Sequence, residues 1–138
     1  MEKTVSEKKA PVYLSKISRE TFDKLKEQIL RVIVVEKKYR DRNFTAKKLA
    51  ELLNTNTRYV SIVLSVRYHT NYAKFVNRLR IEEAMSLLVD PRYEGLRIED
   101  ISDMVGFANR QSFYRAFCQV AKKTPREYQE EARPVSHD

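Results

Sequence analysis

The stretch IEDISDMVGFANRQSFYRAF, residues 98–117, decides how this chain folds. Ile98, Ile101 and Val105 recur at three- and four-residue steps, and Gly106 follows where a helix needs a residue able to take the left-handed conformation. Phe107 comes next, and Asn109 then opens a second periodic run that turns Phe113, Ala116 and Phe117 to one side. Two short amphipathic helices joined by a tight turn make a helix-turn-helix.

Outward from this stretch, Val120 extends the second run, and Thr124-Pro125-Arg126-Glu127 starts a final helix. Thr124 caps it, Pro125 suits its first position, and Glu127 closes a capping box. Tyr128 is expected to pack back, in one core set with Phe113 and Phe117. Toward the N-terminus, Tyr72, Phe75, Val76, Leu79, Ala84, Met85 and Leu88 form an apolar stripe on a longer helix that stops at Asp90-Pro91. Before it the short-helix pattern occurs once more. Thr45 caps a helix carrying Leu49, Leu52 and Leu53, Asn54-Thr55-Asn56 breaks it, and Asn56 caps a third segment from Thr57 to about Val66. That segment buries Val60, Val63 and Leu64 and turns Thr57, Arg58, Ser61 and Ile62 another way. Tyr39 to Phe44 is read as a polar turn. From the cap Ser18, Phe22, Leu25, Ile29, Val32 and Ile33 mark a leading helix to about Lys37.

One architecture therefore occurs twice, with the second helices starting at Thr57 and Asn109, 52 positions apart. The fold class is all-α, with about seven helices in two helix-turn-helix subdomains joined by a connector helix. The expected organisation is a flexible arm over 1–17, a first subdomain with its leading helix over 18–69, a connector over 70–90, a second subdomain over 91–132 and a tail over 133–138.

The 138 residues suffice for one ordinary domain or two very small ones, and two Gly and four Pro are too few for a chain of many turns. A β-sandwich is excluded. With 27 basic and 19 acidic residues the net charge is +8, which favours polyanionic partners. The excess is uneven: residues 1–42 carry 12 basic against 7 acidic, 43–90 carry 7 against 4, and 91–138 carry 8 against 8. Glu99, Asp100 and Asp103 are expected to face away from any polyanion. A single cysteine, Cys118, allows no internal disulfide, and with His69 and His137 alone no zinc site is expected. The reading is of a cytoplasmic protein without an export signal, a membrane span, a cofactor or a metal. No nucleophile or acid-base motif is present, so an enzyme is not expected.

The stretch from Phe75 to Leu88, the quoted segment 98–117 and Thr124-Pro-Arg-Glu-Tyr128 together resemble the DNA-binding domain of AraC/XylS-type bacterial transcription regulators, over about residues 25–130. The most specific part is Gly106-Phe107, Phe113, Arg115, Phe117, Thr124-Pro125 and Tyr128 at the family's spacings. The resemblance implies two homeodomain-like helical units whose recognition helices enter successive major-groove segments of double-stranded DNA. It places DNA contacts on Thr57, Arg58, Ser61 and Ile62 of the first recognition helix and on Arg110, Gln111, Tyr114 and Arg115 of the second.

The chemistry suits those positions. An arginine grips guanine O6 and N7 with two donors, and a glutamine pairs with adenine. Ile62 departs from the basic or polar residue common there, so it reads a thymine methyl or adds little specificity. His69 and Lys122 stand where the family usually has a helix-ending glycine, and those turns must close without one. RNA polymerase is the further partner if the protein activates. Operator, oligomeric state, effector, and whether this is a complete regulator or the output domain of a longer sensor stay open. The rival reading is a protein-interaction module of the same fold with only non-specific DNA affinity; a third is a basic amphipathic membrane-surface helix near 18–38.

Overall fold

The computed structural model describes residues 17–132, so most of the expected arm, the tail and His137 lie outside the described residues. Seven α-helices are present there: α1 (Arg19–Ile29), α2 (Ala46–Leu52), α3 (Thr57–Tyr68), α4 (Tyr72–Leu88), α5 (Ile98–Val105), α6 (Arg110–Ala121) and α7 (Pro125–Ala132). No strand occurs among the described residues. The chain divides into two compact units. Among the described residues, one holds 17–36 together with Thr45–Tyr72, and the other holds Lys37–Phe44 together with 73–132.

The starts and stops obey local chemistry. Ser18, Thr45, Asn56 and Asn109 each accept a hydrogen bond from the backbone N–H three residues on, which satisfies a donor the helix itself leaves unpaired. At α7 the box is reciprocal: Thr124 Oγ1 accepts from Glu127 N–H at 3.1 Å, and Glu127 Oε1 accepts from Thr124 N–H at 2.9 Å. His69 and Lys122 end α3 and α6 at φ 56° and 63°, the left-handed conformation that favours glycine, so both turns close without one. The leading helix differs from expectation at its end. Leu30–Val35 forms a π-helix rather than further α turns, and the chain reverses at Lys37 with φ 59°. Val32, Ile33, Val34 and Val35 are consecutive β-branched residues that crowd a regular α turn, and the wider π turn accommodates them.

In the first unit Leu25, Ile29, Val32 and Ile33 are buried with Leu49 and Ala50 of α2 and Val60, Val63 and Leu64 of α3. Of the apolar residues of this segment, Leu49 is buried while Leu52 is 55% exposed. The seven-residue α2 packs chiefly on α3, so its buried arc is narrow, and Leu49 with Ala50 fills most of it.

The core of the second unit is aromatic. Phe113 stands edge-on to Phe107 at 5.3 Å between ring centroids and lies 5.7 Å from Phe117, which meets Tyr128 at 5.8 Å. Ile81, Ala84 and Leu88 of α4 close this cluster with Ile101 and Val105 of α5.

The segment Lys37–Phe44 is more than the polar turn its composition suggests. Tyr39 is buried, and its hydroxyl donates to Glu83 Oε1 at 2.9 Å. Arg40 clamps the same carboxylate through Nε at 2.9 Å and through Nη2. Arg80 Nε donates to the Tyr39 carbonyl at 2.6 Å while its guanidinium covers the Phe107 ring. Burial, and then the Glu83 hydrogen bond, push the Tyr39 phenol up to about 12. Burial also works against the Glu83 carboxylate, but the Arg40 and Tyr39 hydrogen bonds outweigh it and hold the group below its ordinary value. Gly106 is the counterpart on the other side. At φ +109° it runs so close to the segment that a Cβ would lie 2.6 Å from the Arg40 carbonyl oxygen and 2.7 Å from that of Tyr39.

Candidate nucleic-acid interface

In each unit the second helix of the pair is set by an asparagine cap and anchored by its buried side. Helix α3 packs on both α1 and α2. Val60, Ile62, Val63 and Leu64 are all buried as a result, with Ile62 only 2% exposed. This corrects the expectation for Ile62: a helix held between two neighbours buries a wide arc, and Ile62 falls inside it, unable to meet a base. Thr57, Arg58 and Ser61 remain exposed. Ser65, one turn beyond Ser61, is exposed as well and extends that face, a position the sequence reading missed. The exposed stripe of α3 is therefore Arg58, Ser61 and Ser65, flanked by Thr57.

Helix α6 buries Phe113, Ala116 and Phe117 and exposes Arg110, Gln111 and Arg115. Tyr114 is partly buried, its ring edge-on to Phe113 at 6.0 Å. The Arg110 guanidinium lies over the Tyr114 ring at 5.2 Å, so the two side chains form one stacked element of the helix surface. Arg115 has no ion-pair partner among the described residues. Cys118 is exposed on the next turn of the same side.

Carboxylates of α5 stand beside cations around α6. Glu99 Oε2 is 3.7 Å from Arg110 Nη1. Asp103, a turn later on α5, stands 3.6 Å from Arg42 Nη2. The Asp100 carboxylate is used locally, accepting from the Arg97 backbone N–H at 3.0 Å and held below its ordinary value by the Arg97 side chain and backbone.

Among the described residues no group of three or more His, Cys, Asp or Glu side chains could hold a metal ion, and no helix is long and apolar enough to cross a membrane. What each unit offers is a rigid helix with an exposed row of donors over a packed core. Such a row can hydrogen-bond base edges and phosphates.

Comparison with known proteins agrees with that geometry. A family model described as "Helix-turn-helix domain" matches residues 49–131. Among solved structures, the chain is similar to the C-terminal domain of AraT, a response regulator from Geobacillus stearothermophilus, with TM-score 0.67 and 22% identity over 84% of this chain and 88% of that one. It is also similar to the C-terminal domain of the two-component response regulator yesN from Fusobacterium nucleatum, with TM-score 0.64 and 26% identity over 75% of this chain and 97% of that one. A DNA-binding transcriptional dual regulator from Escherichia coli aligns with TM-score 0.64 and 21% identity over 78% and 91% of the two chains. No curated protein matches the chain. With the family model spanning both helix-turn-helix pairs, the chain belongs to the AraC-type helix-turn-helix family of DNA-binding transcription regulators.

Proposed function

We propose that this protein is a sequence-specific double-stranded DNA-binding transcription regulator that sets α3 and α6 into successive major-groove segments. One observation carries the reading. The same construction occurs in both units: an asparagine cap, Asn56 or Asn109, followed within two turns by exposed Arg58 and Ser61 or by exposed Arg110, Gln111 and Arg115, with the opposite side of each helix buried. A recognition helix reads bases with residues near its N-terminal end, and this is where these side chains stand. Arg115 and Arg110 are assigned to guanine, Gln111 to adenine, Tyr114 to a supporting contact, and Thr57, Arg58 and Ser61 to base and phosphate contacts of the first helix. No cofactor takes part. Where the protein activates, RNA polymerase is its second partner, and the setting is the bacterial cytoplasm.

Selection of bound duplexes from a random pool tests this reading. The expected product is a site with two half-elements about one helical turn, ~34 Å, apart. Its binding should weaken steeply with salt as counterions are released. Absence of any enriched sequence overturns the proposal. It would favour instead a protein-interaction role, which the balanced charge of residues 91–138 and the carboxylate beside Arg110 support.

A further inference from the structure

Glu99 was outside every set of residues read as touching DNA, yet it stands at the edge of the second reading helix. Its carboxylate is 3.7 Å from Arg110, with side-chain exposures of 49% for Glu99 and 67% for Arg110. An ion pair this exposed adds little to folding stability. Its consequence lies elsewhere. Glu99, Asp103, Arg110 and Tyr114 line one small cleft of about 120 Å³ between α5 and α6, so the carboxylates share the surface from which Arg110 projects.

Resting on the reading that α6 faces DNA, we infer that Glu99 is a specificity-determining residue: it offsets the attraction of Arg110 for phosphate while leaving that guanidinium able to donate to a base. A guanidinium carries five N–H donors in a planar fork. Glu99 approaches the Nη1 corner and the guanidinium lies over the Tyr114 ring, yet the Arg110 side chain stays exposed, so donors remain for a base. Guanine O6 and N7 carry only partial negative charge, so a carboxylate beside the donor weakens that contact far less than a contact with phosphate. A phosphate bears a full negative charge and is repelled. Non-specific complexes are built almost entirely from phosphate contacts, so an acid at this place weakens them more than it weakens a complex that reads a base. Asp103 repeats the arrangement one turn along α5 against Arg42, at 3.6 Å. Two cations on this side of the second unit thus face carboxylates, in keeping with 8 basic against 8 acidic residues in 91–138.

The test compares wild type, Glu99→Gln, Arg110→Ala and the double variant on two duplexes of equal length, one selected from a random pool and one scrambled, by fluorescence anisotropy across a salt series. Glu99→Gln should bind the scrambled duplex about fivefold more tightly at ~0.1 M salt, with its log–log salt slope steeper by about 0.9, and should change binding to the selected duplex less than about twofold. With Arg110→Ala already present, the gain on the scrambled duplex should shrink to under about twofold. Equal tightening on both duplexes, or a gain that persists undiminished without Arg110, would reduce Glu99 to bulk charge and overturn the inference. Weaker binding to the selected duplex alone would overturn it too, since Glu99 would then itself accept from a base such as cytosine N4. If wild type fails to discriminate between the duplexes, it is the broader proposal that falls; if wild type discriminates and Glu99→Gln is neutral, only this inference falls.

Discussion

The two helix-turn-helix units share an order of helices and differ in how they hold and screen the helix that is assigned to DNA. Helix α3 sits on an aliphatic core, wedged between α1 and α2, and its buried arc takes in Ile62. Helix α6 rests on edge-on and tilted aromatic rings, and its leading arginine is met by a carboxylate from the neighbouring helix. The first unit leaves Arg58, Ser61 and Ser65 exposed on α3. The second leaves Arg110, Gln111 and Arg115 exposed on α6, with a carboxylate beside Arg110. On the function proposed above, the contrast teaches that residues around the second helix shift the balance between holding phosphate and reading bases.

The comparison can be broken most severely at the aromatic core. Phe117→Ala should cost roughly 3–5 kcal/mol of stability, because the ring is fully buried between Phe113 and Tyr128 and its loss leaves a cavity. Denaturant midpoints measure this, and a loss below about 1 kcal/mol would mean that the unit repacks freely. Gly106→Ala should follow, at about 2 kcal/mol or more, since the left-handed strain adds to a clash with two backbone carbonyl oxygens that cannot swing aside.

On the DNA side, Arg115→Ala should weaken binding to a selected operator by roughly 1–3 kcal/mol and relax preference at one base position. Unchanged affinity and preference would remove Arg115 from the interface.

A smaller effect sharpens the role of the Lys37–Phe44 segment. The Tyr39 phenol, raised from 10.0 to about 12, favours the folded state fully below its unfolded pKa, and that contribution is lost as pH rises through about 12. Glu83 has the opposite sign: its lowered pKa contributes stability above the ordinary carboxylate range, and that is lost as pH falls through the folded value. Tyr39→Phe should therefore flatten the decline of stability on the alkaline side, measured by denaturant midpoints across that range, and leave the acid decline partly in place through Arg40. An unaltered alkaline decline would show that Tyr39 is not its source. The smallest change concerns the helix ends. His69→Gly and Lys122→Gly should each raise stability by up to about 1 kcal/mol by relieving left-handed strain, read as a small increase in melting temperature.

Local chemistry made much of this fold legible. The caps Ser18, Thr45, Asn56 and Thr124 and the turn at Gly106 depend on a few neighbouring residues, so sequence alone located them, and it placed a helix start at Asn109, which proves to be the cap. What stayed hidden depends on partners far along the chain. Ile62 is buried because α3 has a helix on either side, and Tyr39 because Glu83 lies 44 positions away to receive its hydroxyl. Periodicity within one helix reports neither. The Glu99–Arg110 pair was hidden for a similar reason, since charge counting gives the sum over a unit but not which carboxylate faces which cation. An i, i+3, i+7 row was the signal available for Ser65, as it shares the Arg58 and Ser61 side of α3.

The central claim is that both second helices read bases, and footprinting of a selected operator by wild type, Arg58→Ala and Arg115→Ala tests it most directly. The account predicts two protected major-groove segments about one turn apart, with Arg115→Ala weakening protection of one and Arg58→Ala that of the other. A single protected segment that responds to only one of the two substitutions would contradict it.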